Sequence, residues 1–106
     1  MANISCKIIG KKVIRARQVH DYYQLLFDDG SVLNILNNFI VSGNMEYNIT
    51  QFIGSVVTSI NNTGCPAIEI RFSDGKWIRI GISENDYNGP EAMEYIDNNG
   101  IFTVWR

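Results

Sequence analysis

One strand–turn–strand unit is written twice in this chain. Ile9-Gly10-Lys11-Lys12-Val13 reappears as Ile53-Gly54-Ser55-Val56-Val57. Gln24-Leu25-Leu26-Phe27-Asp28-Asp29-Gly30-Ser31-Val32-Leu33-Asn34-Ile35 reappears as Glu69-Ile70-Arg71-Phe72-Ser73-Asp74-Gly75-Lys76-Trp77-Ile78-Arg79-Ile80. The offset is 44 at the first glycine and 45 at the Asp-Gly turn, so one residue is inserted between those landmarks. The units run over 9–36 and 53–82. Each alternates apolar and polar residues around an Asp-Gly pair, the period of a strand with one buried face. Glycine supplies the positive φ that a tight turn needs. The positions that change character between copies, Gln24/Glu69, Leu26/Arg71, Ser31/Lys76 and Asn34/Arg79, are expected to face solvent.

The rest of the chain fits the same β reading. Val13–Val19 and Tyr22–Phe27 read as strands, and 32–36 returns antiparallel across Asp29-Gly30. Tyr23, Leu25 and Phe27 are expected to pack with Leu33 and Ile35. In the second copy Ile68, Ile70, Phe72, Ile78, Ile80 and Ile82 form the inner face, and Trp77 with Arg79 the outer. Phe39-Ile40-Val41 extends the strand pattern, and 48–53 fits either one helical turn or a loop. Near the end, 92–96 and 101–105 flank the turn Asp97-Asn98-Asn99-Gly100, which predicts a third hairpin over 91–105. Pro90 as a first helical residue with Glu91 to Tyr95 following is the competing reading. The sum is roughly eight strands with little helix. Such a chain must curl or close to hide its edges, as a half-open barrel or a two-layer sandwich.

At 106 residues this is expected to be a single domain, 1–106. No apolar run approaches the roughly 20 residues that span a bilayer. The N-terminal residues lack the charged and apolar regions of a leader, so a cytoplasmic protein is expected. Cys6 and Cys65 read as two reduced thiols. Net charge is −2, but it is unevenly placed. Lys7, Lys11, Lys12, Arg15 and Arg17 precede every acidic residue, while Glu84, Asp86, Glu91, Glu94 and Asp97 share a stretch without Lys or Arg. Such a stretch is either a solvated face or a docking surface for a basic partner.

Reactive constellations are not apparent. His20 stands alone beside Asp21, without a nucleophile motif, and reads as a turn residue. One histidine and two scattered cysteines do not match zinc spacing. The Asp-Gly turns carry too few carboxylates for calcium, so no metal or cofactor is expected. The basic run, residues 7–17, carries no aromatic, and the pI near 5.2 argues against nucleic acid. The chain therefore reads as a non-enzyme. Trp77 and Arg79 are of the residue types enriched at binding hot spots.

The two Leu/Ile-x-Phe-x-Asp-Gly units, each preceded by Gly-x-x-Val, are followed by Gly89-Pro90-Glu91-Ala92 and a last strand ending near Trp105. In this the chain resembles small all-β immunity proteins of bacterial polymorphic toxin and contact-dependent growth inhibition systems, over roughly residues 9–105. The resemblance implies a non-catalytic protein that binds a cognate toxin domain, a nuclease by expectation, and occludes its active site. The expected contact residues are Glu84, Asp86, Tyr87, Glu91, Glu94, Tyr95 and Asp97, with Trp77 and Arg79. No nucleic-acid or membrane partner is expected, and the chain is expected to be a monomer or weak dimer. A small-ligand-binding barrel and a structural or oligomerisation module are the alternatives.

Overall fold

A computed structural model describes residues 7–43, 49–62 and 66–105, and among these, nine strands form two antiparallel sheets. The strands are β1 Val13–Val19, β2 Tyr22–Phe27, β3 Val32–Ile35, β4 Phe39–Val41, β5 Val57–Asn62, β6 Ala67–Phe72, β7 Trp77–Gly81, β8 Met93–Ile96 and β9 Phe102–Trp105. One sheet has the order β1-β2-β3-β8-β9 and the other β4-β7-β6-β5. Single 3₁₀ turns occupy Ile49–Phe52 and Glu84–Asp86. Segment 48–53 thus contains a helical turn, and the competing helix over 91–95 is absent: Met93–Ile96 is a strand. Cys6 and Cys65 lie outside the described residues.

The two copies fold in the same register. Val13 pairs with Phe27 and Val57 with Phe72; Ala16 pairs with Leu25 and Ile60 with Ile70. Both first strands carry a bulge, between Val13 and Arg15 and between Val57 and Ser59. The bulge explains why strict alternation misleads in β1. Val13 and Ala16 both turn inward, at 0% and 7% exposure, because an extra residue shifts the parity between them. The copies meet at their Gly-x-x-Val segments, where Lys12 and Val56 form an antiparallel bridge. Gly10 N–H donates to Val57 O and Gly54 N–H to Val13 O, at 2.8 and 2.7 Å. Those two bonds are each other's images under the 44-residue offset, so a local twofold axis passes through the bridge. The inserted residue falls in the turn after the first strand: three residues separate Gln18 from Tyr22, but four separate Asn62 from Ala67.

The third strand of each unit leads the chain across to the other sheet. After β3 the chain crosses to lay β4 against β7, and after β7 it crosses back to lay β8 against β3. Phe39-Ile40-Val41 is therefore a strand of the second sheet, not an extension of β3. Asn37 holds the crossing, its side-chain amide donating to Gly81 O at 2.7 Å. The exchange locks the sheets into a sandwich around one apolar cluster, with Leu25, Phe27, Leu33 and Ile35 from one side and Ile68, Ile70, Ile78 and Ile80 from the other. Tyr23 meets Phe39 edge-on across the layers, ring centres 4.8 Å apart.

The β2-β3, β6-β7 and β8-β9 hairpins turn by one device. Gly30 N–H donates to Phe27 O, Gly75 N–H to Phe72 O and Gly100 N–H to Asp97 O, and each glycine has φ between 81° and 87°. A residue with a Cβ is strained there, which is why glycine stands at all three positions.

Candidate partner-binding surface

The outward positions of the two sheets carry different chemistry on one scaffold. The turn at Asp74-Gly75 sets β6 against β7 so that Glu69 lies opposite Arg79 and Arg71 opposite Trp77. Glu69 accepts from Arg71 Nε at 2.5 Å and from Arg79 Nε at 2.6 Å. The Arg79 guanidinium lies over the Trp77 ring, 4.1 Å from its centre. The Arg79 hydrogen bond is the main cause holding the Glu69 carboxyl below its ordinary range; burial opposes it and Arg71 assists. Glu69 is thus a buried pin under two arginines, and one of those arginines is stacked on a tryptophan.

The equivalent face of the first sheet is an amide ladder with an arginine at one end and a glutamate at the other. Arg17 Nε donates to Gln24 Oε1 at 3.0 Å, Gln24 Nε2 to Asn34 Oδ1 at 3.0 Å, and Asn34 Nδ2 to Glu94 Oε1 at 2.8 Å. Asn34 and Glu69 do point outward, but longer neighbours cover them, leaving them 3% and 8% exposed. Ser31 is fully buried, and its hydroxyl and N–H both donate to Asp29. The expectation that these variable positions meet solvent is corrected at those three.

The acidic segment does not gather into one patch. Tyr95 is core, 1% exposed, with its hydroxyl accepting from Lys11 Nζ at 2.7 Å, so it is not available to a partner. Asp97 accepts from the N–H groups of Asn99 and Ile101 and shapes the last turn. Those backbone donors, Ile101 first, hold its carboxyl low. Glu94 is spent in the ladder, and Met93 to Ile96 run along β3, which places Glu91 and Asp97 at opposite ends of the sheet. Alternation along a strand and its length disperse charges that are adjacent in sequence. Asp86 packs under the second sheet's rim, accepting from Ser83 N–H at 3.2 Å. A Cβ on Gly81 would stand 2.2 Å from its carboxylate, so glycine there makes room for the acid.

What the fold does bring together is Asp86 and Arg79. With Asn38, Phe39, Ile40 and Gly81 they line a groove of about 400 Å³ at the end of the second sheet. Ile40, 57% exposed, stands opposite Arg79 on β4. Glu84 sits exposed on the same 3₁₀ turn as Asp86, followed by half-buried Tyr87. Glu91 lies apart, beside Asp21 and Tyr22 in a smaller groove of about 130 Å³. Of the expected residues, Trp77, Arg79, Asp86 and Glu84 thus share one region, while Glu91, Glu94, Tyr95 and Asp97 do not. Glu69 and Ile40 were missed by sequence reasoning. The signal for Glu69 was present: a fixed turn register puts it directly opposite Arg79.

No family model, curated protein or solved structure matches the chain. Among the described residues, no group of three or more His, Cys, Asp or Glu is placed to hold a metal ion. No helix among them is long and apolar enough to cross a membrane.

Proposed function

We propose that the protein is a non-catalytic immunity protein that binds a bacterial toxin domain and occludes its active site. The observation that carries this reading is the pinned Trp77–Arg79 pair on an otherwise solvent-facing sheet. Aromatic and arginine side chains dominate binding energy when they are held in place before the partner arrives, since less rotamer entropy is then lost. Glu69 does that holding. The groove beside the pair, edged by Ile40 and Asp86, offers a concave seat for a protruding side chain. Glu84 on the neighbouring turn adds negative charge that steers a basic partner, such as the nucleic-acid-binding cleft of a nuclease toxin.

The test is capture on the immobilised protein from its native host, beside a Trp77→Ala/Arg79→Ala control. The reading requires a stoichiometric partner that the control loses, that arrests growth when expressed alone, and that coexpression neutralises. A partner without toxicity, or one retained by the control, removes it. The groove volume also falls in the range of small-ligand sites, which favours the ligand-binding alternative. A small molecule retained in native mass spectra and lost on Ile40→Glu is the result that would select it.

A further inference from the structure

Among the described residues, no strand pairs with the outer side of β9. Edge strands are normally blunted by charge, proline, bulges or shortness, because unpaired N–H and C=O groups invite another chain. The other edges of this fold follow that rule. β1 carries Arg15 and Arg17 and a bulge, β5 carries a bulge and polar residues, and β4 has three residues. β9, four residues long, carries no charge, proline or bulge: with Ile101 before it the run reads Ile-Phe-Thr-Val-Trp. Ile101 just before it and Phe102 at its start are the most exposed large apolar side chains among the described residues, at 59% and 60%.

The register decides which backbone groups are spare. Asp97 N–H donates to Ile101 O, and β8 pairs with β9 as Tyr95 with Thr103 and Met93 with Trp105. Ile101, Thr103 and Trp105 therefore turn their peptide groups toward β8, and Phe102 and Val104 turn theirs off the edge. Among the described residues nothing bonds to those four groups.

We propose that this edge pairs antiparallel with β9 of a second copy, across a twofold axis at Thr103. The strand is self-complementary in that register. Phe102 meets Val104 of the other copy and exchanges both hydrogen bonds with it, and the reverse pair does the same, giving four bonds. Ile101 falls beside Trp105 of the other copy, covering an indole that is half-buried on the core. Residues 98–105 carry no charge, so the two strands approach without repulsion. Phe102 also continues an apolar row across the outer face of the first sheet, Leu26, Val32 and Ile96, that the pairing would lengthen. A strand pair of five residues spans about 17 Å and covers less than the ~800 Å² per partner of a standard interface. The dimer is accordingly weak and forms with rising concentration over about 10 µM to 1 mM. This inference does not depend on toxin binding.

The experiment is sedimentation velocity with ¹⁵N–¹H spectra of the full chain over that range. The expected result is a rising dimer fraction with shifts concentrated at the Phe102, Thr103 and Val104 amides. Val104→Pro removes an N–H that β8 does not use, and Phe102→Lys puts two lysines near the axis. Each is expected to weaken self-association at least tenfold while leaving the circular dichroism of the monomer unchanged. If one variant loses the sheet signal, the other and the wild-type amide shifts still read the contact. A single monomeric species with static β9 amides at 1 mM overturns the proposal. So does a dimer that both folded variants retain, or β9 amides that shift only when a different protein is added.

Discussion

Replacing Glu69 by Gln isolates the charge that holds the second sheet's outer face. The carboxylate offers one oxygen to each arginine, at 2.5 and 2.6 Å. An amide has a single acceptor oxygen, so one arginine loses its bond and faces an NH₂ donor instead. A hydrogen bond to a charged group is worth about 1.5–3 kcal/mol when enclosed. Arg71 and Arg79 are 51% and 41% exposed, so water replaces part of that. The expected loss is about 1–2 kcal/mol at pH 7, or a fall in Tm of about 4–8 °C for a domain near 100 residues. Urea unfolding of wild type, Glu69→Gln, Arg79→Met and the double variant measures it, with a coupling energy on the order of 1 kcal/mol expected. The pH dependence has a definite sign. Glu69 titrates lower in the folded protein than its ordinary value of 4.5, so its contribution is complete above that value and disappears as pH falls through the lowered one. The gap between wild type and Glu69→Gln should close on acidification. A Glu69→Gln variant within about 0.3 kcal/mol of wild type, with no coupling to Arg79, would refute the pinning and with it the preorganised anchor.

Four further outcomes are expected. Burial alone would raise the Asp29 carboxyl, but hydrogen bonds from Lys11 and Ser31 outweigh it and bring it from 3.8 to about 2. Screened at a side chain 30% exposed, this contributes about 1 kcal/mol that is present above pH ~4 and lost between ~4 and ~2; Asp29→Asn should flatten that limb of an acid titration. Gly30→Ala and Gly75→Ala should each cost about 1 kcal/mol or more by chemical denaturation, and to a similar extent, because both sit at nearly the same positive φ, 87° and 86°. Gly81→Ala should force the Asp86 carboxylate off Ser83 N–H and cost about 1–2 kcal/mol; in an Asp86→Ala background the same change should cost less, by a double-mutant cycle. Charge reversal at Glu84 should slow association with a basic toxin domain at low salt by stopped flow and leave dissociation unchanged; an equal on-rate would place the contact elsewhere.

Much of the architecture is legible in the chain because hairpins are local. Alternation, an Asp-Gly pair and the glycine's need for positive φ specify each β-turn-β unit within a dozen residues, and a fixed turn also sets which residues stand opposite one another. The repeat, its one-residue insertion and the C-terminal hairpin follow from such signals. So does the outward placement of Trp77 with Arg79. Tertiary structure alone decided the rest. Nothing local says that β4 leaves its own unit for β7 while β8 returns to β3, since that exchange is chosen by burial of Phe39 and Met93 in a shared core. Nothing local separates Tyr95, buried against Lys11, from its acidic neighbours. The acidic stretch looked like one surface because charge is counted along the chain. In the fold a strand sends successive residues to opposite faces and carries its ends far apart. Glu91, Glu94 and Asp97 are dispersed for that reason, while Asp86 and Arg79 line one groove, beside a Gly81 that leaves room for the carboxylate.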